Sequence, residues 1–245
     1  MAPGSGGDGG SGSADARAHD GGSDAGGAEL MWATDPVNLY TVDPVRQTLT
    51  VIGPLQTSAG VAIPGVDAFA ARSSQLIGIS RSGAGQAVVT IDPMTAEVTF
   101  FPPLVNPHDY YGCTYDKDHD LILAGTSDDG KLYSIDPNLG TATLIGSFGN
   151  GLTVYGDIAW FAGAVYGTMV GGSCSPTCIA TIDPMTGAAT ALSTDAPTAL
   201  PSLGVYEGQL YAFSGSGNVY TINATNGSAT LIYNVPGKDF GDVAP

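Results

Sequence analysis

Charged side chains are scarce in this chain, and basic ones are the scarcest. Charged residues make up 12% of the 245, about half the usual share, and 7 lysines and arginines stand against 23 aspartates and glutamates. The formal charge of −16 repels nucleic-acid phosphates and anionic lipid headgroups, so we expect neither as a partner. Cations, neutral ligands such as sugars, or a basic protein remain compatible with this charge.

Long apolar runs and the common catalytic motifs are absent as well. No apolar run of 18 residues occurs, which argues against membrane insertion, and there is no signal-peptide core. The nucleophile-elbow, zinc-protease and phosphate-loop motifs are missing. A glycosidase needs two carboxylates across a cleft, and the only glutamates are Glu29, Glu97 and Glu207, none of which we place near a central channel. We therefore predict a protein that is not an enzyme.

Cysteine is rare, with three residues. Cys174 and Cys178 lie in the loop-like segment GGSCSPTC, where a small disulfide ring would hold a hairpin together. No histidine or third cysteine is close enough in sequence to make this pair a zinc site. Cys113 is left over, and we expect it to be a small buried hydrophobic residue.

One pattern occurs five times between residues 39 and 233. In each, a strand-like segment ends at a hydrophobic-Asp-Pro step, or Asn-Ala in the last copy, and a second strand follows. The copies are LYTVDPVRQTLTVIG (39–53), VVTIDPMTAEVTFF (88–101), LYSIDPNLGTATLIG (132–146), IATIDPMTGAATALS (179–193) and VYTINATNGSATLIY (219–233). Their turn residues lie 49, 44, 47 and 40 positions apart. A repeat of about 45 residues that consists of strand-like segments and turns predicts the four-stranded antiparallel blades of a propeller.

The two chain ends together predict five blades. Residues 29–53 supply three strands of a blade but no inner strand, and GDVAP (241–245) resembles GDIAW (156–160), which opens another blade. The C-terminal strand should therefore join the N-terminal strands and close the ring, which removes exposed sheet edges. The propeller would span 29–245, and the Gly/Ser/Asp-rich segment 1–28 should be a disordered tether.

The recurrent pattern LYxIDPxTGxATLIG resembles the repeats of bacterial quinoprotein-like (PQQ-like or YncE-like) β-propellers over 29–245. The resemblance implies the blade and no activity or cofactor, because quinone-binding enzymes of this kind use larger rings and cofactor-contacting residues that we do not find here. The tether resembles the spacers of bacterial envelope lipoproteins. That likeness implies a secreted or cell-envelope protein with a possible lipid anchor, and we expect a monomer.

The acidic residues of the turns are predicted to be structural. Asp and Asn side chains accept hydrogen bonds from backbone N–H groups two residues on, and glycine follows at positive φ. The residues concerned are Asp43, Asp92, Asp136, Asp183 and Asn223. The segment YDKDHD (115–120) has the alternating aspartates of a calcium loop but lacks its glycine and closing glutamate, so a polar hairpin is favoured.

A second set of acidic residues is predicted to face the central channel. Asp67, Gly112, Asp157 and Ser202 lie 45 residues apart, and Asp242 follows 40 later. Converging carboxylates could hold Ca²⁺ or another cation, with Asp67, Asp157 and Asp242 as the ligands. Alternatively, each aspartate bonds backbone amides of a neighbouring blade. A metal-dependent hydrolase or lactonase with an axial cation is the enzymatic alternative.

The ligand is expected on the face that carries the longest connections, 54–66 and 102–111, together with the disulfide loop. This face carries four consecutive candidate residues, His108, Asp109, Tyr110 and Tyr111. Aromatic side chains that bear a polar group, placed beside carboxylates, suit contacts with carbohydrate or peptide. Tyr110 or Tyr111 could instead plug the channel or pack between blades. Our leading hypothesis is a non-catalytic propeller that binds carbohydrate or protein.

Overall fold

The computed structural model describes residues 30–82, 85–105, 108–193, 196 and 199–244; the predicted tether over 1–28 lies outside them. The described residues form β-strands joined by turns, and they contain no helix that could cross a membrane. Twenty strands follow one another along the chain: β1 (Met31–Thr34), β2 (Asn38–Asp43), β3 (Thr48–Pro54), β4 (Ala68–Arg72), β5 (Gln75–Ser82), β6 (Gly85–Ile91), β7 (Val98–Pro103), β8 (Tyr110–Asp116), β9 (Leu121–Thr126), β10 (Lys131–Ile135), β11 (Ala142–Ser147), β12 (Leu152–Phe161), β13 (Ala164–Gly171), β14 (Cys174–Ile182), β15 (Ala189–Ala191), β16 (Ser202–Tyr206), β17 (Gln209–Phe213), β18 (Asn218–Ile222), β19 (Ala229–Asn234) and β20 (Asp242–Ala244).

The strands form five antiparallel sheets of four, which are the blades of a five-bladed β-propeller. Blade 1 has the order β20-β1-β2-β3, and blades 2 to 5 are β4–β7, β8–β11, β12–β15 and β16–β19. In blade 1, Asp242 pairs with Thr34 and Ala244 with Trp32. The Gly241 N–H also donates to the Thr34 carbonyl over 2.8 Å. The predicted fold and the predicted closure by the two chain ends are confirmed.

The apolar core is divided into five clusters, one between each pair of neighbouring blades. Because both faces of a blade are covered, a strand such as β9 is buried at nearly every position instead of alternating. The cluster between blades 5 and 1 joins Tyr211 and Phe213 to Met31 and Val243, with Phe240 just ahead of β20. One of the five interfaces therefore depends on the last few residues of the chain.

The Asp-Pro turns are held by the predicted side-chain hydrogen bonds. The Asp136 carboxylate accepts from the N–H groups of Asn138 (2.8 Å) and Leu139 (3.0 Å), and Gly140 follows at φ 65°. Equivalent bonds are made in the other four blades by Asp43, Asp92, Asp183 and Asn223. The matched carboxylates are thus turn caps, as the sequence predicts.

Blade 5 offers a natural guide for testing this role, because Asn223 replaces the aspartate there. We expect Asp136→Ala to destabilise the protein by about 1 kcal/mol through loss of the capping bonds, and Asp136→Asn to remain close to the wild type. Urea unfolding of the two variants measures the difference. Equal losses in both would mean that the charge, and not the hydrogen-bond geometry, holds the turn.

The cysteines and the polar hairpin also follow the prediction. Cys174 and Cys178 are disulfide-bonded with their Cα atoms 5.2 Å apart, and the remaining cysteine, Cys113, is buried. In the YDKDHD segment, the Asp116 carboxylate accepts from the Asp118 N–H at 3.0 Å. That bond closes the turn between β8 and β9, as expected of a hairpin.

Candidate functional site

The two faces of the propeller carry different connections. The loop face carries the links from each outer strand to the next inner strand and the hairpins between second and third strands. The turn face carries the Asp-Pro turns and the hairpins between inner and second strands. The inner strands surround the axis and run from the loop face to the turn face; they are β4, β8, β12, β16 and β20.

Strand pairing defines which residues are equivalent around the axis. Phe69 pairs with Gly78 in blade 2, and Cys113 pairs with Ala124 in blade 3. Gly78 and Ala124 in turn pair with equivalent positions of the third strands of their blades, so Phe69 and Cys113 are equivalent. The residues that directly precede Phe69, Cys113 and their equivalents in the other three blades lie at the same height along the axis, and we call this set the axial layer. Its members are Ala68, Gly112, Asp157, Ser202 and Asp242.

Asp67 was wrongly placed in this layer, where the structure has Ala68. The repeats differ in length, so a spacing of 45 cannot determine the register, and a slip of one residue turns a side chain to the other face of a strand. The Asp67 carboxylate instead accepts from Gln86 (2.7 Å) and pairs with the Arg81 guanidinium (3.4 Å). Arg81 also forms an ion pair with Asp109. Burial raises the pKa of Asp67 above its usual value.

The two remaining axial aspartates meet at the centre of the ring. Asp157 accepts from the N–H groups of Ile158 (2.7 Å) and Cys113 (3.0 Å). Asp242 accepts from Val243 (2.9 Å) and from Phe69, and the two carboxyl groups lie within interaction distance of each other. Burial raises the pKa of both, because the low-dielectric interior disfavours a second negative charge. Each aspartate also bonds the backbone of a neighbouring blade, Asp157 that of blade 3 and Asp242 that of blade 2.

His108 belongs to a cluster at the loop face of blade 3. Its Nδ1 lies 3.3 Å from Asp128 Oδ2 and 3.5 Å from Asp129 Oδ2, and its Nε2 lies 2.9 Å from the Tyr133 hydroxyl. The three ligand atoms could hold a metal ion. However, the Lys131 ammonium already bonds Asp129 at 2.8 Å, so the protein supplies a cation of its own there.

The four residues predicted to bind ligand at the loop face do not share one surface. Tyr110 is fully buried and packs edge-on against the His108 ring at 5.9 Å, between blades 2 and 3. Asp109 is engaged by Arg81, while Tyr111 is 37% exposed. Burial raises the pKa of Tyr111, with Asp67 nearby as a further cause. Of the four, Tyr111 presents its ring to solvent, and Tyr110 is a packing residue.

A pocket at the turn-face end of the axis was missed by the sequence prediction. Tyr115 and Trp160 occupy equivalent positions at the ends of the neighbouring inner strands β8 and β12, two residues beyond Cys113 and Ile158. They line a pocket of about 200 Å³ together with Phe161, Lys117 and the small residue Ala71. The sequence signal for this pair is the equivalent position of Tyr115 and Trp160 at the ends of their inner strands.

This axial pocket, as we call it, continues inward. A second cavity of about 90 Å³ shares Tyr115 and Trp160 with it and reaches Asp157. The outer rim is fixed by charge: the Tyr115 hydroxyl donates to Asp120 (2.6 Å), and Asp120 pairs with Arg72 (2.6 Å). The Arg72 guanidinium also lies over the Tyr115 ring, 5.7 Å from its centre. The Tyr115 ring is therefore held in place before any ligand arrives.

The five four-stranded sheets place the chain in the class of five-bladed β-propellers, and solved structures are similar to it in fold alone. A chain of a nidogen–laminin complex is similar at TM-score 0.59 and 8% identity, over 88% of this chain and 97% of that one. TolB from Acinetobacter baumannii is similar at TM-score 0.50 and 14% identity, over 84% of this chain and 51% of that one. No family model and no curated protein matches the sequence. The resemblance to quinoprotein-like repeats accordingly stays a prediction.

Proposed function

We propose that the protein is a non-catalytic binding propeller of the cell envelope or extracellular space, and that it takes a carbohydrate ring into the axial pocket. The Cys174–Cys178 disulfide is consistent with such an oxidising compartment. The observation that carries the proposal is the pairing of Tyr115 and Trp160 at the mouth of the pocket.

The chemistry of this pocket suits a sugar. Half-buried aromatic faces contact the apolar C–H faces of a sugar ring, while the polar rim reaches its hydroxyl groups. The volume of about 200 Å³ is below the roughly 300–1,000 Å³ typical of pockets for drug-sized ligands, so one terminal ring fits better than a longer chain. The strong negative charge of the protein favours a neutral sugar over an acidic one.

Binding is favoured over the hydrolase or lactonase alternative by the state of the axial carboxyl groups. Asp157 and Asp242 are each 1% exposed, and each accepts hydrogen bonds from backbone N–H groups of its own blade and of a neighbouring blade. A catalytic acid or base needs to reach the substrate within hydrogen-bond distance. The aromatic mouth, and not the acid pair, is the part of the axis that a ligand meets first.

The proposal predicts that the turn face, and not the loop face, binds the sugar. After a glycan array identifies a ligand, we expect Tyr115→Ala and Trp160→Ala each to weaken its binding at least about tenfold, or 1.4 kcal/mol. Isothermal titration calorimetry measures the affinities.

Tyr111→Ala is the matched control, because Tyr111 is an exposed aromatic residue on the opposite face. It should bind like the wild type. Loss of binding in Tyr111→Ala with full binding in Trp160→Ala would move the site to the loop face, and no binder on the array together with a protein partner captured through the loop face would also contradict the proposal.

A further inference from the structure

The axial acid pair lacks a positive partner of the kind that the half-buried Asp67 and Asp129 have. Asp67 is paired with Arg81, and Asp129 with Lys131. Within the described residues, no ion pair joins Asp157 or Asp242 to a basic side chain, and the nearby titratable groups are Asp67 and the Cys113 thiol. Two buried carboxyl groups in contact need a proton or a cation to balance their charge.

Ser202 provides an independent sign that something is bound at this level. Its side chain is fully buried, and its hydroxyl has no hydrogen-bond partner among the described residues. Strand β16 lies between β12 and β20 in the ring, and Ser202 is the member of the axial layer between Asp157 and Asp242. Buried hydroxyl groups almost always have a hydrogen-bond partner. The unused hydrogen-bonding capacity of the Ser202 hydroxyl therefore indicates a ligand beside the acid pair.

The fold also supplies space and a route. The cavity of about 90 Å³ reaches Asp157, and it has room for several water molecules. It shares Tyr115 and Trp160 with the axial pocket, which opens at the turn face. An ion could therefore reach the axial layer without the ring opening.

We propose that Asp157, Asp242 and Ser202 bind a divalent cation, with Ca²⁺ as the best fit. The three side chains offer only oxygen, which suits a hard cation, and Ca²⁺ completes its shell of six to eight ligands with water more readily than Mg²⁺ accepts an irregular site. The site rests on the axial layer alone and is independent of sugar binding.

Calcium titration of the full chain tests this site. After EDTA treatment and dialysis at pH 8, we expect one Ca²⁺ per chain by isothermal titration calorimetry and a higher melting temperature with Ca²⁺ present. Asp157→Asn and Asp242→Asn should abolish both effects. Ser202→Ala, which removes only the hydroxyl, should keep the fold and weaken the affinity about tenfold through loss of one hard ligand.

Asp128→Asn is the control, because it alters the acidic cluster at the loop face without touching the axis. It should bind Ca²⁺ like the wild type. Absence of Ca²⁺ binding in the wild type, unchanged affinity in Ser202→Ala, or loss of binding in Asp128→Asn would each overturn the proposal. If the two asparagine variants fail to fold, Ser202→Ala decides.

Discussion

Removal of residues 240–245 should abolish cooperative folding or lower the melting temperature by at least about 10–20 °C. The segment contributes Phe240, which is 1% exposed and packs against Phe213 with ring centres 5.2 Å apart, and Val243 in the same cluster. Burial of each such side chain is worth about 1.5–3 kcal/mol, and the whole domain is expected to be stable by only about 5–15 kcal/mol. Loss of β20 also leaves the inner edge of β1 unpaired, which invites aggregation.

Thermal and guanidinium unfolding followed by circular dichroism, with size-exclusion chromatography for aggregation, measure this effect. Met185→Ala is the control, because it removes an apolar side chain that is 81% exposed, and it should melt like the wild type. A truncated protein with an unchanged transition would show that the ring is not closed by the C-terminal strand.

The second large effect is expected from Gly112→Ala. A Cβ atom at this position would contact the Gly156 carbonyl oxygen and lie 2.9 Å from Asp157 Cα, and both neighbours are backbone atoms of β12. Neither atom can move without shifting the strand that carries Asp157. We expect a loss of about 3 kcal/mol, at the upper end of overpacking costs, because a backbone cannot change rotamer to make room.

Gly53→Ala is the matched control for this substitution. Its Cβ would lie 3.4 Å from the Thr95 carbonyl oxygen, which is ordinary van der Waals contact, so we expect little change in stability. Urea unfolding of both variants gives the comparison. Equal stabilities would indicate that blades 3 and 4 are less tightly apposed at the axis than the structure shows.

The blade architecture could be predicted because its signals are local. The Asp136 cap and Gly140 lie within one turn, and the same turn recurs five times, so the repeat count and the strand positions follow from short stretches of chain. Ring closure was predictable for a related reason: a blade that lacks its inner strand leaves an edge that only the other chain end could cover.

The sites could be predicted only in part. Asp157 and Asp242 were placed on the axis correctly, whereas Asp67 was not, because connections of unequal length hide a shift of one residue. His108 could be named from its neighbours in sequence, but Asp128 and Asp129 come beside it through the pairing of β8, β9 and β10. No local pattern reports that contact.

Strand order, turn chemistry, blade number and the joining of the two ends follow from the amino-acid sequence, because their signals are local and recur. The set of side chains that meet at the axis follows from the packed ring. Tyr115 with Trp160, and Asp157 with Asp242, come from different blades, and each contact depends on the register of separate sheets packed around one centre. A register is determined by cooperative packing across the whole ring, so it cannot be read from any one repeat.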